Sequence, residues 1–147
     1  MTPINQMKMT VLAKSGNESF VRSAVAAFCV PLNPTLETIN DIKTAVSEAV
    51  TNVVVHAYGE PEKNFIYIEA ELFDDSLSII VRDTGCGIAD IERAMQPMYS
   101  SKSDKERSGM GFTFMQAFTD GLTVESVVGE GTTVKMTKRI AKESLRV

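Results

Sequence analysis

The sequence has no tryptophan, one histidine and two cysteines, and aromatic residues make up 7% of it. With His56 alone, neither a histidine metal cluster nor a Ser-His-Asp triad has the partners it needs. Cys29 and Cys86 are far apart and form no C-x-x-C pair, so reduced thiols are expected rather than a disulfide or a zinc site. The longest apolar stretches, such as the one through Ala24–Leu32, fall far short of the ~20 residues that span a bilayer. The N-terminus lacks the basic and apolar pattern of a signal peptide, which leaves a cytoplasmic protein with no membrane partner as the expectation. Positive charge is not in excess either. Fifteen Lys and Arg against nineteen Asp and Glu give a net charge of -4, the wrong sign for broad binding to a phosphate backbone, so no direct nucleic-acid partner is expected. No linker, repeat or low-complexity run interrupts the chain.

What is present is a globular composition, 44% hydrophobic and 23% charged over 147 residues. That length predicts a single domain over residues 1–147, long enough to bury a core without a disulfide or metal staple. Met7, Met9 and Val11 alternate with polar neighbours and predict an edge strand over 7–13. Spacings of three and four through Phe20, Val21, Ala24, Ala27 and Phe28 predict a first helix, which Pro31 must stop. A second helix is expected from after Pro34 to about Tyr58, with Ile39, Ile42, Val46, Ala49 and Val53 as its apolar stripe. Gly59 suits a left-handed turn that would end it. Val53, Val54 and Val55 favour a strand locally, but period and length outvote them. Alternation returns over 65–73 and 77–82, joined by a hairpin loop at Asp74-Asp75-Ser76. A weakly patterned segment follows Gly87 and runs to Ser108. A third helix is expected over 109–119, then closing strands near 122–128 and 132–137. Strands and helices that do not strictly alternate predict an α+β two-layer sandwich, a mostly antiparallel sheet with helices on one face.

The informative features are glycines and the residues around them. Asp83-Thr84-Gly85-Cys86-Gly87 directly follows an alternating strand, which sets Asp83 at a strand end where its carboxylate can enter a pocket. Glycines there let backbone pass close to a planar ligand. Ser108-Gly109-Met110-Gly111 opens a predicted helix, where free N–H groups and the helix dipole favour an anion such as phosphate. The spacing is not that of a P-loop, and no strand–glycine loop–helix unit of the dinucleotide-binding kind is present. Glu48, Asn52 and His56 are four apart and form a polar line beside the apolar stripe. A carboxylate and an amide oxygen placed there can orient a hydroxyl and bind a hard cation, because Mg²⁺ needs only one or two protein oxygens when phosphates and water supply the rest. Lys102, Lys105 and Arg107 precede the glycine pair, where they can neutralise a terminal phosphate. For each of these features an ordinary turn, a solvated helix face or a charged loop is the alternative reading.

Taken together, four motifs resemble the pattern of the ATPase fold shared by gyrase, the large heat-shock chaperone, histidine kinases and MutL. That GHKL superfamily, with its Bergerat ATP-binding fold, has an E-x-x-x-N helix, a D-x-G-x-G turn, a G-x-G closing a flexible lid, and a late Gly-Thr. Here they are E-A-V-T-N over 48–52, D-T-G-C-G over 83–87, G-M-G over 109–111 and G-T-T over 131–133. The S-E-A-V-T-N and R-S-G-M-G-F runs and the first helix resemble more closely the anti-sigma-F factors of endospore-forming bacteria, small serine kinases, over the whole chain.

The resemblance implies ATP and Mg²⁺ as cofactors. Asp83 would bind the adenine amino group, Asn52 would ligate Mg²⁺, and Glu48 would be the base that readies the attacking hydroxyl. Gly85, Gly87, Ser108, Gly109 and Gly111 would shape the nucleotide pocket, with Thr132 or Thr133 near the adenine, Lys102 or Arg107 near the phosphates, and a lid at about 89–108. Ser103 stands where the family pattern has proline after the lid lysine, which bears on lid geometry. The resemblance further implies a homodimer that holds a sigma factor, sigma F in sporulation, and phosphorylates a serine on a small anti-anti-sigma protein. Arg22 on the first helix is the candidate partner contact. A stress-response anti-sigma kinase of the same family and a non-catalytic, ATP-gated binding module are the alternative readings.

Overall fold

Strands form where apolar and polar residues alternate, because successive side chains in extended backbone point to opposite faces. The computed structural model describes residues 2–59, 63–96 and 111–142. Its strands are β1 (Asn5–Leu12), β2 (Phe65–Leu72), β3 (Ser76–Arg82), β4 (Gly121–Val127) and β5 (Gly131–Arg139). Its helices are α1 (Gly16–Phe28), α2 (Leu36–Asn52), the single turn α3 (Ile91–Ala94) and α4 (Gly111–Phe118). All five strands pair antiparallel in one sheet of order β1-β2-β3-β5-β4.

One face of that sheet carries the core. Ile66, Ile68 and Leu72 of β2, Leu77, Ile79 and Val81 of β3, and Met136 of β5 are fully buried there. Val21 and Val25 of α1, Ile42, Val46 and Val50 of α2, and Met115 of α4 close over them. Side chains of this size each contribute roughly 1.5–3 kcal/mol on full burial, so the helix layer is held mainly by these contacts. Helices α1 and α4 pack on either side of α2. The opposite face is polar: Lys8 pairs with Glu69 at 3.7 Å, and the Arg82 guanidinium lies 4.3 Å from the centre of the Tyr67 ring. The architecture is therefore the expected α+β two-layer sandwich.

The details depart from expectation in three places. First, α2 is regular only to Asn52 and then widens into a π-helical segment over Val53–Ala57. The three consecutive β-branched valines crowd a regular helix, and this is where it loosens. Second, Gly59 is not in a left-handed turn. Tyr58 is already extended (φ -121°, ψ 144°), and the positive-φ glycines among the described residues are Gly87, Gly129 and Gly131. Third, the segment after Gly87 contains the short helix α3, whose N-cap Asp90 accepts the Arg93 N–H at 3.1 Å. Before α2, Pro31 sits in a 3₁₀ turn over Val30–Leu32, and Asn33 closes it at φ 51°.

Candidate functional site

Strand order decides what meets at the site. Because β5 is inserted between β3 and β4, the end of β3 lies beside the start of β5. Asp83, just past β3, donates its N–H to the Thr132 carbonyl at 2.9 Å and accepts the Thr132 N–H on Oδ1 at 3.3 Å. The same Oδ1 accepts the Gly85 N–H at 2.9 Å. Burial raises the Asp83 pKa above its ordinary value, while these two N–H bonds and the nearby Arg82 cation pull it partly back.

The turn after Asp83 is pressed against the end of the α2 extension. A Cβ on Gly85 would sit 2.1 Å from the Ala57 carbonyl oxygen, so only glycine allows this approach. Gly87 has φ +76°, and a Cβ there would also meet the Val127 carbonyl at 2.4 Å. The Cys86 N–H donates to Ala57 O at 2.8 Å, and its Sγ lies 3.3 Å from His56 O. The Ile88 N–H donates to Ser126 Oγ at 2.7 Å, and that hydroxyl in turn lies 2.8 Å from Thr132 Oγ1.

A pocket of about 450 Å³ opens among these elements, lined by Asn52, Asp83, Gly87, Gly111, Phe112 and Thr132 among others. That volume is within the usual range for a small-molecule site. Ala49, Val53, Ile88 and Val134 add apolar wall, and His56 and Cys86 reach it as well. Apolar walls around a buried carboxylate and a half-buried amide fit a planar heterocycle that carries an amino group. Among the described residues no cluster of three or more His, Cys, Asp or Glu could hold a metal ion. Asn52 Oδ1 can still serve as a single protein ligand to an ion whose remaining positions are phosphate and water, the arrangement Mg²⁺ prefers.

Several expected residues are thus brought together: Asn52, Asp83, Gly87, Gly111 and Thr132 line one cavity. Gly85 is not among the lining residues; it lets the turn approach Ala57, which does line the cavity. Thr133 does not line it, because alternation along β5 turns it to the other face of the sheet. Glu48 lies one turn before Asn52 on α2 and lines a second, polar cleft between α1 and α2, with Glu18, Arg22, Lys43 and Ser47. There Arg22 pairs with Glu18 at 3.1 Å, and Ser47 donates a hydrogen bond to Glu18. Lys102, Arg107, Ser108 and Gly109 lie outside the described residues, as does most of the expected lid. Sequence reasoning missed Ser126 and Tyr58, both of which hold the turn without belonging to a motif. Their signal is a hydroxyl at a buried or half-buried position, which a one-dimensional pattern does not display.

A family model of the histidine kinase-like ATPase domain matches residues 13–138. An anti-sigma F factor of Clostridium novyi is 54% identical over 136 residues, covering 92% of this chain and 95% of that protein. Another, from Caldanaerobacter subterraneus, is 54% identical over 138 residues, covering 94% and 96%. A solved structure of the RsbU and RsbW domains of Rv1364c from Mycobacterium tuberculosis matches with a TM-score of 0.71 at 22% identity. It covers 99% of this chain and 35% of that one, and speaks to the fold. The fold is that of a histidine kinase-like ATPase domain, a class of ATP-binding modules. Within that class, the chain belongs to the anti-sigma F factor family. Among the described residues no helix is long and apolar enough to cross a membrane.

Proposed function

We infer that this chain is an anti-sigma factor that holds a sigma factor of the sigma F type and phosphorylates a serine of an anti-anti-sigma partner. It acts as one domain over 1–147 and as a cytoplasmic homodimer. The observation that best supports this is the division of labour along α2. Asn52 faces the nucleotide-sized pocket, while Glu48, one turn earlier, faces the adjoining polar cleft. A protein substrate approaching over the α1–α2 cleft would bring its hydroxyl to Glu48 without displacing the nucleotide.

ATP supplies the phosphoryl group when bound, and Mg²⁺ offsets the charge of its phosphates. Asp83 would accept the base's amino hydrogen, with Oδ2 available because Oδ1 already accepts two backbone N–H groups. Thr132 and the apolar walls hold the ring. Asn52 would lend an oxygen to the ion and Gly111, at the start of α4, a backbone N–H group to the phosphates, the role that the family pattern also gives Gly109. Glu48 takes the proton as the serine oxygen attacks the terminal phosphorus and the bond to the departing ADP breaks. Lys102 and Arg107 offset the charge that develops on the transferred group.

The test is incubation with γ-labelled ATP, Mg²⁺ and an anti-anti-sigma protein of the same genome, with mass spectrometry of the phosphosite. Phosphoserine on that partner is the expected result. Tight ATP binding and partner release with no phosphoserine would replace the kinase with an ATP-gated binding module. Glu48→Gln should keep ATP affinity within about threefold while transfer falls about 10²–10⁴-fold, the usual contribution of a positioned general base.

A further inference from the structure

We propose that Tyr58 is a positioning residue for the nucleotide site, acting through its hydroxyl on the Asp83–Gly87 turn. The proposal rests on the reading of the pocket as an ATP site. Three consecutive backbone N–H groups of that turn are each held by a different partner. Thr84 N–H donates to Tyr58 Oη at 2.9 Å, Gly85 N–H to Asp83 Oδ1 at 2.9 Å, and Cys86 N–H to Ala57 O at 2.8 Å. Two of these partners are consecutive residues at the end of the α2 extension, and of the three only Tyr58 holds the turn by a side chain from outside it.

The hydroxyl also joins a third segment. Tyr58 Oη donates to the Phe65 carbonyl at 2.7 Å, and Thr84 Oγ1 lies 3.3 Å away. One oxygen therefore ties the helix that carries Asn52, the start of β2, and the residue following Asp83. Tyr58 is 7% exposed, and its ring belongs to the core. Packing alone would be served as well by phenylalanine. What phenylalanine lacks is the acceptor for the N–H of Thr84, the residue that follows Asp83. Close packing of Gly85 on Ala57 fixes one end of the turn, and the bond at Thr84 N–H fixes the backbone that leads out of Asp83.

The test is Tyr58→Phe, which conserves volume, measured in two ways on the full chain. Hydrogen exchange of the apo protein should show the Thr84–Cys86 amides exchanging about tenfold faster, with β2 and β3 protected as before. KM for ATP in the phosphotransfer assay should rise about tenfold with kcat within twofold, because binding must then order a turn that the lost internal hydrogen bond no longer holds. Ile68→Val, a core change of similar modest cost outside the site, is the control and should leave KM unchanged. Unchanged exchange in the turn and unchanged KM would overturn the proposal, as would a KM shift matched by the control. A wild-type chain that binds no ATP would overturn the ATP reading, and the positioning role with it. That failure is distinguished by the wild-type titration itself.

Discussion

Asp83 carries opposing demands at the residue scale. Burial disfavours its charged form and raises its pKa above the ordinary 3.8, so the folded chain binds this proton more tightly than the unfolded chain does. Its contribution to stability is therefore greatest at low pH, and declines as pH rises through the interval between 3.8 and the raised value. Above that interval the group is a cost to the fold. Asp83→Asn keeps an Oδ1 that can accept both backbone N–H groups and removes the buried charge. We expect apo stability at pH 7, followed by urea denaturation, to be unchanged or higher. ATP affinity by calorimetry should fall about 10–100-fold, because an amide N–H₂ meets the base's amino group where an acceptor is needed. Asp83 was legible in the sequence only in company, since a carboxylate and glycines directly after an alternating strand fit an ordinary turn equally well and the three other motifs singled it out. Tyr58 was not legible, because a tyrosine before Gly59 reads as an ordinary helix end. The choice between Thr132 and Thr133 needed the register of β5 against β3.

At the scale of elements, α2 shows what periodicity carries and where it stops. Of its predicted stripe, Ile42, Val46, Ala49 and Val53 are buried and Ile39 is half-buried. The helix begins where Thr35 caps it, accepting the Thr38 N–H on Oγ1 at 3.1 Å and bonding Thr38 Oγ1 at 2.9 Å. Thr35→Ala should cost about 1 kcal/mol, read as a lower midpoint in urea, with ATP affinity unchanged because the cap is at the far end of the helix from Asn52. At the other end the chain stays helical to about Tyr58 as expected, but its turns widen over Val53–Ala57. Period alone does not distinguish an α-turn from the wider turn over Val53–Ala57, whose end meets the Asp83–Gly87 turn through Cys86 N–H and Ala57 O. The strands were legible within one or two residues, since alternation follows directly from the pleat. The short α3 was not, because four residues are too few to establish a period.

At the scale of the whole molecule, α2 contributes Asn52 to one cleft and Glu48, one turn earlier, to another, and the proposed function gives nucleotide to the first and partner to the second. Arg22→Glu tests that separation. It should weaken capture of a sigma factor by about tenfold or more, the scale of a reversed charge at an interface, and leave ATP affinity unchanged. Equal loss of both, measured by titration of each ligand, would show damage to the fold instead. The sequence alone determined the two-layer α+β architecture, because periods of two and of about 3.6 separate strands from helices and mark the face each one buries. It also grouped Asn52, Asp83 and the glycines, since their types and order match the pattern of a known family. Only the tertiary structure decided how they meet. Asp83 and Thr132 are 49 residues apart and become hydrogen-bonded because β5 enters the sheet between β3 and β4. Strand order is set by packing and loop closure over the whole chain, and no local pattern encodes it. The same holds for the hydroxyls of Tyr58 and Ser126, whose role is defined by the N–H groups they reach and not by their neighbours in sequence.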